Sequence, residues 1–474
     1  MSSQLEKQNV PLLSHGESAN EAGEEKSYRV YPTRFYILGA FGVISFAQSL
    51  LWLTFSPVAK ATKEFYHLCD TPTDCAANDG PGQDTVDLFL NWGPIIYLLT
   101  IFPVMWLASK KNALKNCIIL SAVLELLCVS LRAIPTLFFE SGSPPFYAVS
   151  FVHVAQICNA AVGPLTMATP TLLSSVWFPE HERATATAIA IVVNNCGALV
   201  GFFAPFLVGD NPENIKVLLW IHFTLVCCFS ILVFSYFPSQ PPSPPSSSSR
   251  SVMALSQGPD FMAEVKSILR LRSFNVLAIC GGAIGGVYNV WSGSLDTILP
   301  HSIVSTNQCA ILGFLSTLFY CGGGFAGGPL MNTRLFRRHY KRLLIICLFV
   351  STLLFSWFAV SLPMIGIPTP LMNGTFFSLA FIIVGCGLFL GATNPIYYEF
   401  GVEITFPIQE GTSAGLITIQ NNVGALIFLV LKNSIPITSL NLLMAGTVFV
   451  ALLSTTLGVK EKYLRKDYEV EHAH

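Results

Sequence analysis

Four carboxylates and one guanidinium stand inside stretches that are otherwise apolar: Glu125, Arg132, Asp296, Glu399 and Glu403. An ionisable side chain at the centre of a membrane span costs roughly 2.5–3.5 kcal/mol on insertion scales, so each needs a function or a partner. Glu125 and Arg132 lie seven residues apart, two turns along one helix face. A bridging water or Asn is needed to join them across that rise. Glu399 and Glu403 are spaced i, i+4, where two ionised carboxylates repel. That suits them to a proton site opening to an acidic lumen; the other reading is a gate contact with arginines of cytosolic loops. Asp296 closes the polar face of the seventh span. The four carboxylates are the candidates for proton coupling.

A second group could hold a solute. Trp52 and Tyr288 fall at matching depths in the first and seventh spans, and such rings stack on a flat solute or attract a cation. Gln156 and Asn422 are amides in apolar text in the fourth and eleventh spans. Singly, each of these residues can equally serve helix packing. As a set they predict the lining of a substrate cavity.

Other chemistries find no support. No Gly-x-x-x-x-Gly-Lys-Ser/Thr run exists to hold ATP phosphates. His181-Glu182 lacks the second histidine of a zinc protease, and His472 and His474 belong to a polar tail. The thirteen cysteines show no metal-site spacing. No enzyme, metal or cofactor is expected. Cys69 and Cys75 share a polar loop, which leaves a disulfide there open.

The elements that must position these groups are membrane helices. Of 474 residues 52% are hydrophobic and 11% charged, against about 25% charged in soluble domains. A span needs about 20 apolar residues. Twelve are predicted, at 35–59, 86–108, 116–137, 146–177, 184–208 and 217–237, then 274–299, 309–330, 343–363, 376–404, 412–432 and 438–458. Gly163-Pro164, Pro170 and Pro395 predict breaks or tilts in the long fourth and tenth spans. Most of the 26 Lys and Arg residues fall on one side of these spans, which puts both termini in the cytosol. The net charge of -1 points to no nucleic-acid partner.

Residues 1–34 are polar and read as a disordered cytosolic tail without a signal peptide. A six-helix bundle follows over 35–237 and a second over 274–458, with a cytosolic tail at 459–474. Between them, 238–273 holds a Pro/Ser-rich stretch expected to be disordered, then a basic amphipathic helix at Phe261–Arg272. The bundles repeat. Phe178-Pro179-x-x-Glu182 precedes Asn194-Asn195-Cys196-Gly197-Ala198-Leu199, and Phe406-Pro407-x-x-Glu410 precedes Asn421-Asn422-Val423-Gly424-Ala425-Leu426. The fold expected is therefore all-α, with twelve transmembrane helices in two pseudo-symmetric six-helix halves. Gly197, Gly201 and the glycines at 322–324, 327 and 328 permit close helix packing. Asn373-Gly374-Thr375 is a glycosylation sequon on the lumenal side, close to the tenth span.

The run Trp177-Phe178-Pro179-x-x-Glu182-Arg183-Ala184-Thr185-Ala186-Thr187 resembles solute carrier family 49 of the major facilitator superfamily. So do Glu410-Gly411-Thr412-Ser413-Ala414-Gly415 and Trp291-Ser292-Gly293-x-Leu295-Asp296. Leu131-Arg132-Ala133-Ile134-Pro135 and Phe400-x-x-Glu403 bring it nearest the member 4 branch. That resemblance implies a lysosomal, proton-driven exporter of pyridoxine, by symport. In choline-carrying relatives a Trp, a Tyr and two amides at the positions of Trp52, Tyr288, Gln156 and Asn422 line the cavity. The partners implied are a small solute, protons, the bilayer and sorting adaptors that read Leu12-Leu13. Two departures stand out: Ser109-Lys110-Lys111-Asn112-Ala113 replaces the superfamily's Asp- and Gly-containing loop, and Gln8 precedes Leu12-Leu13 where an acid is usual. The alternatives are a proton-independent choline or ethanolamine facilitator, a substrate-sensing receptor, and residence in the plasma membrane.

Overall fold

The computed structural model describes residues 28–69, 81–110, 112–140, 144–145, 147–209, 211–250, 261–293, 295–299, 303–363, 370–372 and 374–471. Leu12, Leu13, Cys75 and Asn373 lie outside these residues. Cys69 is disulfide-bonded.

Among the described residues twelve helices are long and apolar enough to cross a membrane. In hydrocarbon the backbone must satisfy its own polar groups, and an apolar chain does so by coiling. The first half contains α1 (Thr33–Trp52), α2 (Pro81–Ala108), α3 (Ala113–Ala133), α4 (Tyr147–Met167), α5 (Glu180–Gly201) and α6 (Asn214–Ser235). The second contains α7 (Arg272–Ser292), α8 (Thr306–Asn332), α9 (Tyr340–Val360), α10 (Phe376–Thr405), α11 (Glu410–Ser434) and α12 (Ile437–Gly458). Capping boxes start α8 at Ser305 with Gln308 and α10 at Thr375 with Ser378.

Prolines set several ends. The first span stops at Trp52, and Pro57 opens a 3₁₀ turn, Ser56–Val58, before a short helix, Ala59–Phe65. The fourth span breaks as expected: α4 ends at Met167 and a separate helix, Pro170–Trp177, begins at Pro170. The tenth does not break at Pro395, which sits inside a continuous α10. There α8 clamps the helix, since a Cβ at Gly327 would lie 2.7 Å from Ala392 O and 3.2 Å from Pro395 Cγ.

The repeated Asn-Asn-x-Gly has the same use in both halves. A Cβ at Gly197 would overlap Phe46 O of α1, and one at Gly424 would lie 2.9 Å from Gly282 O of α7. Each block thus brings the fifth helix of its half against the backbone of the first. The halves meet along α5 against α8 and α2 against α11.

The linker departs from the disorder expected of it. Ser246, Ser247, Ser248 and Ser249 are buried: the hydroxyls of Ser246, Ser248 and Ser249 accept from the fully buried Arg183 guanidinium, and that of Ser247 donates to Glu469. After the undescribed stretch, the expected amphipathic helix spans Phe261–Leu269. The chain closes with a tail helix, Leu464–Glu471. Linker and tail lie at the same end of the bundle, here termed the linker side.

Candidate functional site

Arg132, at the last turn of α3, is 2% exposed. It donates to Leu51 O and Thr54 Oγ1, both at 3.1 Å, and to Gln156 Oε1 of α4. Among the described residues no Asn joins it to Glu125. Glu125 is fully buried, with no protein partner for either oxygen. Two turns separate the pair by about 10.5 Å of rise, while the carbonyls ending α1 offer the cation nearer acceptors.

The four solute-lining candidates do not converge on one point. Trp52 is half-buried and donates to Leu90 O of α2 at 2.9 Å, its ring fitted over Gly93. Gln156 is committed to Arg132, with its Nε2 free of protein partners. Tyr288 is buried within the second half, sharing a 2.6 Å hydrogen bond with Ser316 Oγ and stacked on Tyr320 at 5.1 Å. Asn422 is half-buried and donates to Thr418 O of its own helix at 3.0 Å. Asp296 sits in the short helix Leu295–Ile298 after α7; its side chain is outside the described residues.

A ladder of amides not legible as a set in the sequence runs through the first half. Asn159 Nδ2 donates to Gln48 O at 3.2 Å. Asn194 Nδ2 donates to Ser45 O at 2.7 Å and to Gln48 Oε1 at 3.1 Å. The ladder ties α1, α4 and α5. Its signal was an amide in the apolar text of each of three helices, which also fits packing.

The strongest charge cluster seals the linker side. Arg465 of the tail helix meets Glu399 at 2.6 Å, Glu403 at 3.1 Å and Glu410 at 3.1 Å, all three carboxylates being fully buried. An arginine does face Glu399 and Glu403, but the tail supplies it rather than a loop. Thr187 of α5 donates to the other oxygen of Glu399, linking the halves. Arg183 meets Glu469 of the tail at 3.1 Å, along with the linker serines. Burial alone would raise the Glu469 carboxyl, but Arg183 and the serine hydroxyls hold it below its usual range. Burial pushes Lys466 down to about 8 despite nearby Glu403.

Further bonds join the halves at this end. Gln409 Nε2 donates to Ser109 O at 3.0 Å, Asn332 Nδ2 to Thr185 Oγ1 at 2.9 Å, and Arg337 Nη2 to Glu180 Oε1 at 3.1 Å. The departed loop at Ser109 thus still contributes a cross-half contact. The repeated glutamates are each paired, Glu182 with Arg34 at 3.0 Å and Glu410 with Arg465. Arg465, Glu410, Arg183 and Glu469 were not among the sequence candidates, because nothing in a linear reading joins a tail residue to α10.

A bundle of twelve spanning helices in two halves, sealed at one end by cross-half polar contacts, is the architecture of an alternating-access membrane transporter. The Major Facilitator Superfamily model matches residues 37–429. The chain belongs to that superfamily, and it is similar to members of solute carrier family 49. It is 28% identical over 449 residues to the solute carrier family 49 member 4 homolog of Xenopus laevis, covering 91% of this chain and 92% of that one. It is 27% identical over 431 residues to solute carrier family 49 member A3 of Xenopus tropicalis, covering 89% and 81%. It is 24% identical over 469 residues to the choline/ethanolamine transporter flvcr2a of Danio rerio, covering 96% and 91%. The solved Escherichia coli fucose:proton symporter FucP shares the fold at TM-score 0.63 and 14% identity, covering 90% and 99%.

Proposed function

We propose that this solute transporter exports a small polar or cationic nutrient from the lysosomal lumen to the cytosol, with pyridoxine as the substrate and the proton gradient as the driving force. The observation that carries the reading is the seal at the linker side. By the distribution of Lys and Arg that side faces the cytosol, so the sealed form is poised to load from the lumen. Resemblance to the member 4 branch supplies the substrate, the lysosomal membrane and the symport. Substrate contacts are assigned to Trp52, Gln156, Tyr288 and Asn422, with Trp52 and the free Gln156 Nε2 the first to meet it. Of the carboxylates, Glu399 and Glu403 are occupied by Arg465, so the coupling proton is assigned to Glu125 or Asp296.

A second reading is a proton-independent choline or ethanolamine facilitator. It is favoured by the flvcr2a relative and by aromatic rings that suit a quaternary ammonium. Uptake of labelled pyridoxine and of labelled choline into proteoliposomes, with and without a pH gradient, separates the two. Pyridoxine flux that rises with the gradient supports the first; gradient-insensitive choline flux without pyridoxine flux replaces it with the second.

A further inference from the structure

We propose that Cys196 of α5 and Cys321 of α8 form a redox-modification site, a thiol pair with one member in each half. A two-electron oxidant of the peroxide class would join them into a disulfide that locks the α5–α8 seam. The register of the seam places them opposite each other. Moving away from the linker side, Asn332 bonds Thr185, and a Cβ at Gly328 would lie 2.5 Å from Ala188 Cβ. One further turn along, a Cβ at Gly324 would overlap Val192 Cγ2. Beyond the thiols, the rings of Phe314 and Phe203 pack at 5.4 Å. Cys321 and Cys196 occupy the next turn of this antiparallel ladder, near enough for the two thiols to interact. Both are free in the structure. Gly324 and Gly328 let α8 approach α5 closely at Val192 and Ala188.

Cys196 is partly exposed and Cys321 buried. Peroxide therefore meets Cys196 first: its sulfur takes one peroxide oxygen as a sulfenic acid, and the other leaves as water. The Cys321 sulfur then attacks the Cys196 sulfur, the S–S bond forms at about 2.05 Å, and the hydroxyl departs with the Cys321 proton as a second water. Two thiols are oxidised and one peroxide is reduced. Opening of the linker side requires the α5 and α8 stretches of the two halves to part, and a covalent bond between these helices opposes that parting.

The test uses the full-length protein in lipid nanodiscs with hydrogen peroxide as the probe. Peptide mapping without reduction should give a linked pair containing Cys196 and Cys321. Amide hydrogen exchange at residues 180–192 and 324–335 should slow several-fold and recover with dithiothreitol, since exchange there reports opening of the seam. Cys196→Ser should show neither change; should it fail to assemble, Cys321→Ala serves in its place. Separate oxidised thiols with no linked peptide would overturn the proposal. So would a linked pair without slowed exchange, or equal slowing in the serine variant.

Discussion

Arg132 turns away from the carboxylate two turns below it because the end of α1 offers backbone and hydroxyl acceptors. Removing that guanidinium leaves Gln156 Oε1 buried without its donor, while Leu51 O and Thr54 still bond each other. Arg132→Met should therefore destabilise the protein by about 1–3 kcal/mol, while Glu125→Gln, which breaks no contact, should leave stability near wild type. Thermal unfolding of the two variants in one detergent checks this; equal loss in both would mean that the pair is coupled after all. If Asp296 carries the coupling proton, Asp296→Asn should abolish gradient-driven uptake yet preserve exchange of labelled for unlabelled solute, because exchange moves no net proton. Glu125→Gln measured beside it identifies which carboxyl is responsible.

At the scale of elements, the tail helix acts through Arg465, whose forked guanidinium serves three carboxylates at once. Arg465→Ala leaves those carboxylates buried without a countercharge and should release the tail, seen as rapid proteolysis after residue 458. Arg465→Lys should rescue docking only in part, since an ammonium is a point charge without the fork. The linker helix carries a pH response of its own. Burial raises Glu264 from 4.5 to about 7, against the opposing hydrogen bond from Thr412. The docked helix thus favours the protonated acid. Docking should be tightest below about 4.5 and weaken as pH rises through about 7, and hydrogen exchange at residues 261–269 from pH 5 to 8 should follow that slope. Glu264→Gln should remain docked across the range.

For the whole molecule, the membrane in which the transporter resides decides the direction of flux. Leu12→Ala with Leu13→Ala should move the protein from lysosomes to the cell surface, as surface labelling would report, because the pair is the one sorting-like motif in the polar tail. An unchanged distribution would remove the dileucine from the account. A surface-resident variant would also expose the lumen-facing side to the medium, where solute uptake can be measured directly.

Apolar length alone determined the twelve spans, since hydrocarbon leaves the backbone no alternative to a helix. The Asn-Asn-x-Gly repeat gave the two halves, and the break at Pro170 followed from proline's missing donor. Other features depended on groups far apart in the chain. Pro395 does not break α10 because α8 packs against it. The linker serines are ordered because Arg183, more than sixty residues earlier, needs acceptors. Glu399 and Glu403 read as a repelling pair until Arg465 arrives from the tail. A linear reading registers the cost of a buried charge at once, but its countercharge is chosen by which helices meet, and that is a property of the tertiary fold.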